Sequence, residues 1–298
     1  TIAQAAEKLG FYAVMGNDHI ITPKSVQQSF PDPPNFYELL MTSAFLAPVT
    51  GRLKLIMGVI VVPLRDPVIL AKQVATLDVL SGGRVILGVG IGSHREEFEA
   101  LYPRRRRANR GEILEESIQA LKVLFGERRA SFEGKYVQFR DVEISPKPQQ
   151  RSMPLIVSGN APDAIRRAAR LGNGWLASGM PPEEIREAAA ILRETAAAHG
   201  RDFSTFDVAL QFSIAIGRSR EEAEAKFRRW QSALLRNQPV ESFARRNLFG
   251  TPDEIKSRIE EYANAGVTHL AGIRFAAQTV SELLEGMTLF AETVMPAF

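Results

Sequence analysis

The chain has 298 residues, 45% hydrophobic and 24% charged, enough for one large α/β barrel or two ordinary domains with ample core. It has no cysteine, which excludes disulfides, thiolate zinc sites and cysteine nucleophiles. A net charge of +3 is too small to point to nucleic acid, no run of about 18 apolar residues reads as a membrane span, and no signal peptide precedes the first helix. The default expectation is a cytoplasmic enzyme acting on a small molecule.

Residues 1–9 (TIAQAAEKL) read as an amphipathic helix, with Gly10 suited to its C-terminal cap. Residues 12–16 read as a strand and end in Asn17-Asp18-His19. A carboxylate and an imidazole at a strand's C-terminal end offer proton transfer or hydrogen bonds to a ligand ring. The plainer alternative is that Asp18 caps the next segment and His19 packs locally. A helical pattern over 36–48 leads to a strand at 53–62, ending Gly58-Val59-Ile60-Val61-Val62-Pro63 without a reactive side chain. A helix at 67–80 and a strand at 84–90 follow, the latter running into Gly88-Val89-Gly90-Ile91-Gly92-Ser93.

The remaining pattern alternates, with helices at 110–125, 162–171, 182–199, 220–235, 252–265 and 280–295, and strands at 154–158, 174–178, 206–216 and 268–275. Ser219 with Glu222, and Thr251 with Glu254, form two capping boxes. Two segments break the alternation: 126–152, whose SFEGKYVQF portion suits a short hairpin, and 237–250, either a short helix or a mobile loop. Several strands are nearly continuous apolar runs, as parallel strands covered on both faces require. Seven strands are counted and a helix comes first, whereas a (βα)8 barrel needs eight. A further apolar strand before Thr1 is therefore expected.

The glycine loop invites a dinucleotide-binding reading, but its spacing is G-x-G-x-G and no acidic residue ends a second strand about 20 residues later. Small residues there instead suit the close approach of a flat cofactor, with Ser93 and His94 within reach of a ring edge. Ser158, Gly159 and Asn160 join a strand to a helix N-terminus, a geometry that cradles phosphate or simply starts a helix. Arg110 could supply the cationic partner, since a guanidinium matches phosphate geometry. The run Arg104-Arg105-Arg106-Arg107 reads as a solvated face or as a contact for an anionic cofactor tail; no aromatics interleave it as in nucleic-acid sites.

The blocks AEKLGFYAVMGNDH, LSGGRVILGVGIGS, F-E-G-K-Y, PLIVSGNAPDAIRRAARLGNGW and GTPDEIKSRIEEYANAGVTHL together resemble the luciferase-like superfamily over nearly the whole chain. That resemblance implies a single (βα)8 TIM-barrel domain over 1–298, with insertions about 126–152 and 237–250. It implies FMN or the deazaflavin coenzyme F420 at the strands' C-terminal ends, and often a homodimer packed through barrel helices. It also implies a non-proline cis peptide at Ile60–Val61, or one residue either side, supporting the back of the ring. Gly90, Ile91, Gly92 and Ser93 would face the ring, while Ser158, Gly159, Asn160 and Arg110 would hold the phosphate. Asp18 and His19 match the Asp-His pair of the deazaflavin branch. Ser93 departs from an acidic residue found in some of those enzymes, and Asn173 from the usual Asp before Gly-Trp. The expectation is F420-dependent hydride transfer to or from a small organic substrate, then FMN-dependent monooxygenation, and third a non-catalytic flavin-binding protein.

Overall fold

The seven apolar runs form seven parallel strands in the order read from the sequence. The structure is a computed structural model and describes residues 1–29, 35–234 and 238–298. In chain order the first half comprises α1 (Ile2–Lys8), β1 (Ala13–Gly16), α2 (Lys24–Ser29), α3 (Leu39–Leu46), β2 (Lys54–Met57), β3 (Ile60–Val61), α4 (Pro67–Leu80), β4 (Val85–Gly90), α5 (Arg95–Leu101) and α6 (Arg110–Gly126). Then come β5 (Ala130–Glu133), β6 (Gln138–Val142), β7 (Leu155–Ser158), α7 (Pro162–Leu171), β8 (Gly174–Ser178), α8 (Pro182–Ala198) and β9 (Asp207–Ile216). The last part holds α9 (Arg220–Ala233), α10 (Val240–Arg246), β10 (Leu248–Gly250), α11 (Pro252–Ala265), β11 (His269–Phe275) and α12 (Val280–Thr293).

The sheet runs β1-β2-β4-β7-β8-β9, with β11 and the short β10 both on β9, every pair parallel. This is a TIM-barrel arrangement, nearly closed. Alternation along the strands divides the apolar residues between two layers. Ile56, Ile86, Ile156, Leu176, Ala209 and Ala271 fill the interior, while Leu55, Leu87, Val157, Trp175 and Leu210 pack outward against helices. Each buried Val, Leu or Ile side chain among them contributes about 1.5–3 kcal/mol. Between β1 and β11 lies a seam, where an eighth strand of a closed barrel would stand. A cavity of about 750 Å3 opens there onto Met15, Ile56, Ile86 and Ile156.

The strand expected at 53–62 is broken. β2 ends at Met57 and β3 resumes at Ile60, now paired through Val89 of β4. The non-proline cis peptide is Gly58–Val59, one residue outside the range expected around Ile60–Val61, and it lies in the break between β2 and β3. Thr251 and Glu254 make the full capping box, but the Glu222 carboxylate accepts from Arg218 N rather than from Ser219, leaving that box half formed. Within 126–152 the hairpin is the antiparallel β5–β6 pair. In 237–250, Asn237 lies outside the described residues, and the rest is α10 and β10.

At the strands' N-terminal face the LSGGR turn is a structural clamp. Buried Arg84 donates to Ser81 O, Ala47 O, Leu53 O and Thr50 Oγ1 at 2.6–3.1 Å. Fully buried Asp78 accepts from the Gln150 backbone and side chain at 3.0 and 2.7 Å. Gly82 and Gly83 have φ of 69° and 77°, a region open to glycine, which lets the chain turn into β4.

Candidate active site

The loop after β1 delivers Asp18 and His19 to the opposite, C-terminal face, where each meets a different partner. Asp18 is buried and held by Arg65, with Nη1 donating to Oδ2 at 2.6 Å and Nη2 to Oδ1 at 2.8 Å. Val61 N also donates to Oδ2 at 2.8 Å, so the carboxylate ties the β1 loop to β3. Burial pushes the Asp18 carboxyl above its ordinary value, against the pull of Arg65 and the Val61 amide. Arg65 reaches Glu38 as well, at 3.0 Å, and Glu38 in turn caps α3 through Met41 N. Both Asp18 oxygens are thus engaged by Arg65 and the Val61 amide.

His19 is half-buried and its Nδ1 lies 3.2 Å from Glu97 Oε2 on α5. Glu97 is 2% exposed, and its other oxygen accepts from Ile20 N at 2.6 Å and Ile21 N at 3.2 Å. Burial works to raise the Glu97 carboxyl, but the bonds from His19, Ile20 and Ile21 hold it below its ordinary value. The imidazole is packed by Phe36, ring centroids 4.5 Å apart, and faces His94 at 5.6 Å. His94 Nδ1 and Glu96 Oε1 both meet the Ser25 hydroxyl, at 3.0 and 2.5 Å, which pins α2 to α5. Among the described residues, His19 Nε2 makes no hydrogen bond. Carboxylate, imidazole and open nitrogen form the arrangement that fixes a tautomer and leaves one ring atom for a ligand.

Glu97 and Arg65 were not among the residues singled out from the sequence. A signal for Glu97 existed: in REEFEAL it precedes Phe98 and stands four residues before Leu101, so it lies on the apolar side of a short helix.

The expected ring-facing residues divide. Ile60 points outward into the main core, and Val61 packs with Leu64, Phe98 and Ile113 behind the mouth. Val59, between them and the interior, joins the inner layer instead. A Cβ on Gly90 would lie 2.8 Å from Val59, and one on Gly92 (φ 79°) 2.8 Å from Val61, so both glycines are required by the chain's own packing. Ile91 is half-buried and Ser93 exposed. Arg110 Nη1 donates to Ile91 O and Gly92 O, both at 3.0 Å, and so fastens the glycine loop.

At the expected phosphate cradle the side chains are also engaged. Ser158 Oγ donates to Leu176 O, and the Asn160 amide both donates to Ser178 O and accepts from Ser178 N. Gly159 (φ 136°) presents its carbonyl to Trp175 Nε1 at 2.8 Å. Ser158, Gly159 and Asn160 therefore lace β7 to β8, and only backbone amides at the start of α7 remain for an anion.

Strand alternation sets the floor of the mouth. One step above Ile156, Leu176 and Ala209 of the inner layer stand Ser158, Ser178 and Gln211. Polar residues thus replace apolar ones at the top of the barrel. An apolar floor with a polar upper ring suits a planar, partly polar heterocycle, so the residues fit a flavin-type ring. Among the described residues no cluster of His, Asp or Glu is built for a metal ion, and no helix is long and apolar enough to cross a membrane.

Comparison with known proteins agrees with this geometry. The family model described as luciferase-like monooxygenase matches residues 1–269. The chain belongs to the luciferase-like monooxygenase family. Its named relatives are oxidoreductases and monooxygenases. It is 26% identical over 318 residues, 99% of the chain and 90% of the relative, to the F420-dependent glucose-6-phosphate dehydrogenase of Kineococcus radiotolerans. It is 31% identical over 201 residues, 67% of the chain and 53% of the relative, to the FMNH2-dependent dimethylsulfone monooxygenase of Pseudomonas putida. The coenzyme F420-dependent tetrahydromethanopterin reductase of Methanopyrus kandleri shares the fold, with a TM-score of 0.81, 21% identity and coverage of 99% and 93% of the two chains. The luciferase-like fold and enzyme class are thereby established, and relatives using F420 and FMN both occur.

Proposed function

We propose that this luciferase-like protein is a coenzyme F420-dependent oxidoreductase that transfers hydride to or from a small organic substrate. The observation that carries the proposal is the His19–Glu97 pair, an imidazole anchored at Nδ1 whose Nε2 makes no hydrogen bond among the described residues. Such a pair serves a reaction in which a hydroxyl or carbonyl oxygen gains or loses a proton as hydride moves. The near full-length likeness to an F420-dependent dehydrogenase supports the same reading. When bound, the deazaflavin ring supplies the hydride acceptor or donor carbon. His19 Nε2 holds or receives the substrate proton, and Glu97 keeps the Nδ1–H tautomer and its direction. The Asp18–Arg65 clamp fixes the loop that carries His19, while Val59, Phe36 and the inner isoleucines exclude water.

FMN-dependent monooxygenation is the second reading, supported by the likeness to the dimethylsulfone monooxygenase. His19→Ala, assayed anaerobically for F420 reduction with a panel of secondary alcohols and sugar phosphates, tests the first. A fall of about 10²-fold or more at unchanged cofactor affinity is expected; unchanged rates would remove His19 from the mechanism. The working unit is a homodimer formed through α3 and α4. Met41, Phe45, Ile69 and Leu80 are 60–73% exposed there, although α3 already buries Leu39 and Leu40 on its other side. Phe45→Glu should convert a dimer to a monomer in sedimentation; a wild-type monomer would end this proposal.

A further inference from the structure

Two sequence features, the basic run at 104–107 and the hairpin insertion, make no hydrogen bond to Asp18, His19 or the 158–160 turn among the described residues. The fold brings them together outside the barrel. Between the 3-10 turn Pro103–Arg105, α6 and the β5–β6 hairpin lies a cavity of about 550 Å3. That volume falls within the ~300–1,000 Å3 of small-molecule sites. Leu101, Ile113, Val137 and Phe139 are among its apolar lining residues, and Arg104 and Arg105 also line it.

The charges around it are unevenly matched. Arg65 also lines the cavity, but its guanidinium is engaged by Asp18 and Glu38. Asp66 caps α4 through Val68 N and Ile69 N, and nearby Lys135 is paired with Glu112. Arg104 and Arg105 are exposed, and among the described residues their guanidinium groups have no hydrogen-bonding or ionic partner. A second unmet group lies deeper. Ser117 on α6 lines the cavity, is 1% exposed, and its hydroxyl has no hydrogen-bond partner.

The hairpin is held as a fixed wall. The Glu116 carboxylate on α6 accepts from Lys135 N, Tyr136 N and Val137 N at 2.7–3.0 Å. The Tyr102 hydroxyl donates to Leu64 O at 3.0 Å and closes the opposite side. The cavity is therefore pre-formed.

We propose that this cavity is a second ligand site, separate from the mouth, for an amphipathic carboxylate. The apolar body lies against Leu101, Ile113, Val137 and Phe139, and the acid head sits on Arg104 and Arg105. Both halves are needed: an inorganic anion would leave the walls wetted, and a neutral alkyl chain would leave the arginines unused. The site does not depend on which cofactor the mouth accepts.

Calorimetric titration of the full chain with decanoate, decanol and sulfate tests it, alongside the double variant Arg104→Ala/Arg105→Ala. Decanoate should bind at least tenfold more tightly than either control, and the double variant should weaken decanoate about tenfold while leaving decanol unchanged. Decanoate binding no tighter than decanol, or unaffected by the double variant, overturns the proposal. Two further outcomes overturn it as well. Displacement of decanoate by saturating F420 or FMN would place the acid at the mouth. Loss of F420 affinity in the double variant without loss of decanoate would assign the arginines to the cofactor's anionic tail.

Discussion

The two ends of the barrel use buried charge in opposite ways. At the N-terminal face, buried Arg84 directs four of its five N–H donors to three main-chain carbonyls and a threonine hydroxyl. At the C-terminal face, Glu97 and Asp18 likewise consume main-chain donors, but each also grips a side chain, His19 or Arg65. The first end is complete in itself. The second holds an imidazole by one nitrogen and leaves the other open. Buried charge at one end fixes the scaffold, and at the other it orients an imidazole.

Breaking each end separately sharpens the contrast. Arg84→Ala strands its buried carbonyl acceptors and should cost about 3 kcal/mol in urea unfolding, with cofactor binding at the mouth retained in the folded fraction. Glu97→Gln should cost less stability, yet lower hydride transfer about 10–100-fold. The tautomer of His19, read from its ring ¹⁵N shifts, should also change from Nδ1–H toward a mixture. If that tautomer is unchanged, Glu97 only packs.

The same carboxylate gives a smaller effect on pH dependence. The folded-state value of Glu97 lies below its ordinary one. Its contribution to stability is therefore present above the unfolded value of about 4.3 and lost as pH falls through the lower folded value. Glu97→Gln should flatten that part of the acid unfolding curve, and an unchanged curve would show that Glu97 does not contribute.

Legibility in the sequence follows the same division. Several of the parallel strands are readable because they are nearly continuous apolar runs, and helices such as Pro67–Leu80 and Pro252–Ala265 begin and end as expected because prolines and caps mark them. The LSGGR-to-GVGIG stretch is equally visible, and the structure shows much of it supporting the fold: Arg84 clamps one end, and Gly90 and Gly92 make room for Val59 and Val61. The mouth was harder to read. Asp18 and His19 stand out by position, but their partners Arg65 and Glu97 are 47 and 78 residues away, on elements that only the fold brings near. The helix carrying Glu97 has seven residues, mostly charged, too short for a periodic signal. The cis peptide lies at Gly58–Val59, where the β1 ladder has ended and the register with β4 shifts by one, a break that apolar residues alone do not mark.

The central claim is that the mouth is built for a deazaflavin. Side-by-side anaerobic titration of the full chain with F420 and with reduced FMN, followed by fluorescence, tests it most directly. The account predicts saturable F420 binding at least tenfold tighter than FMN. Tight FMN binding with no F420 binding would contradict it and favour the monooxygenase reading.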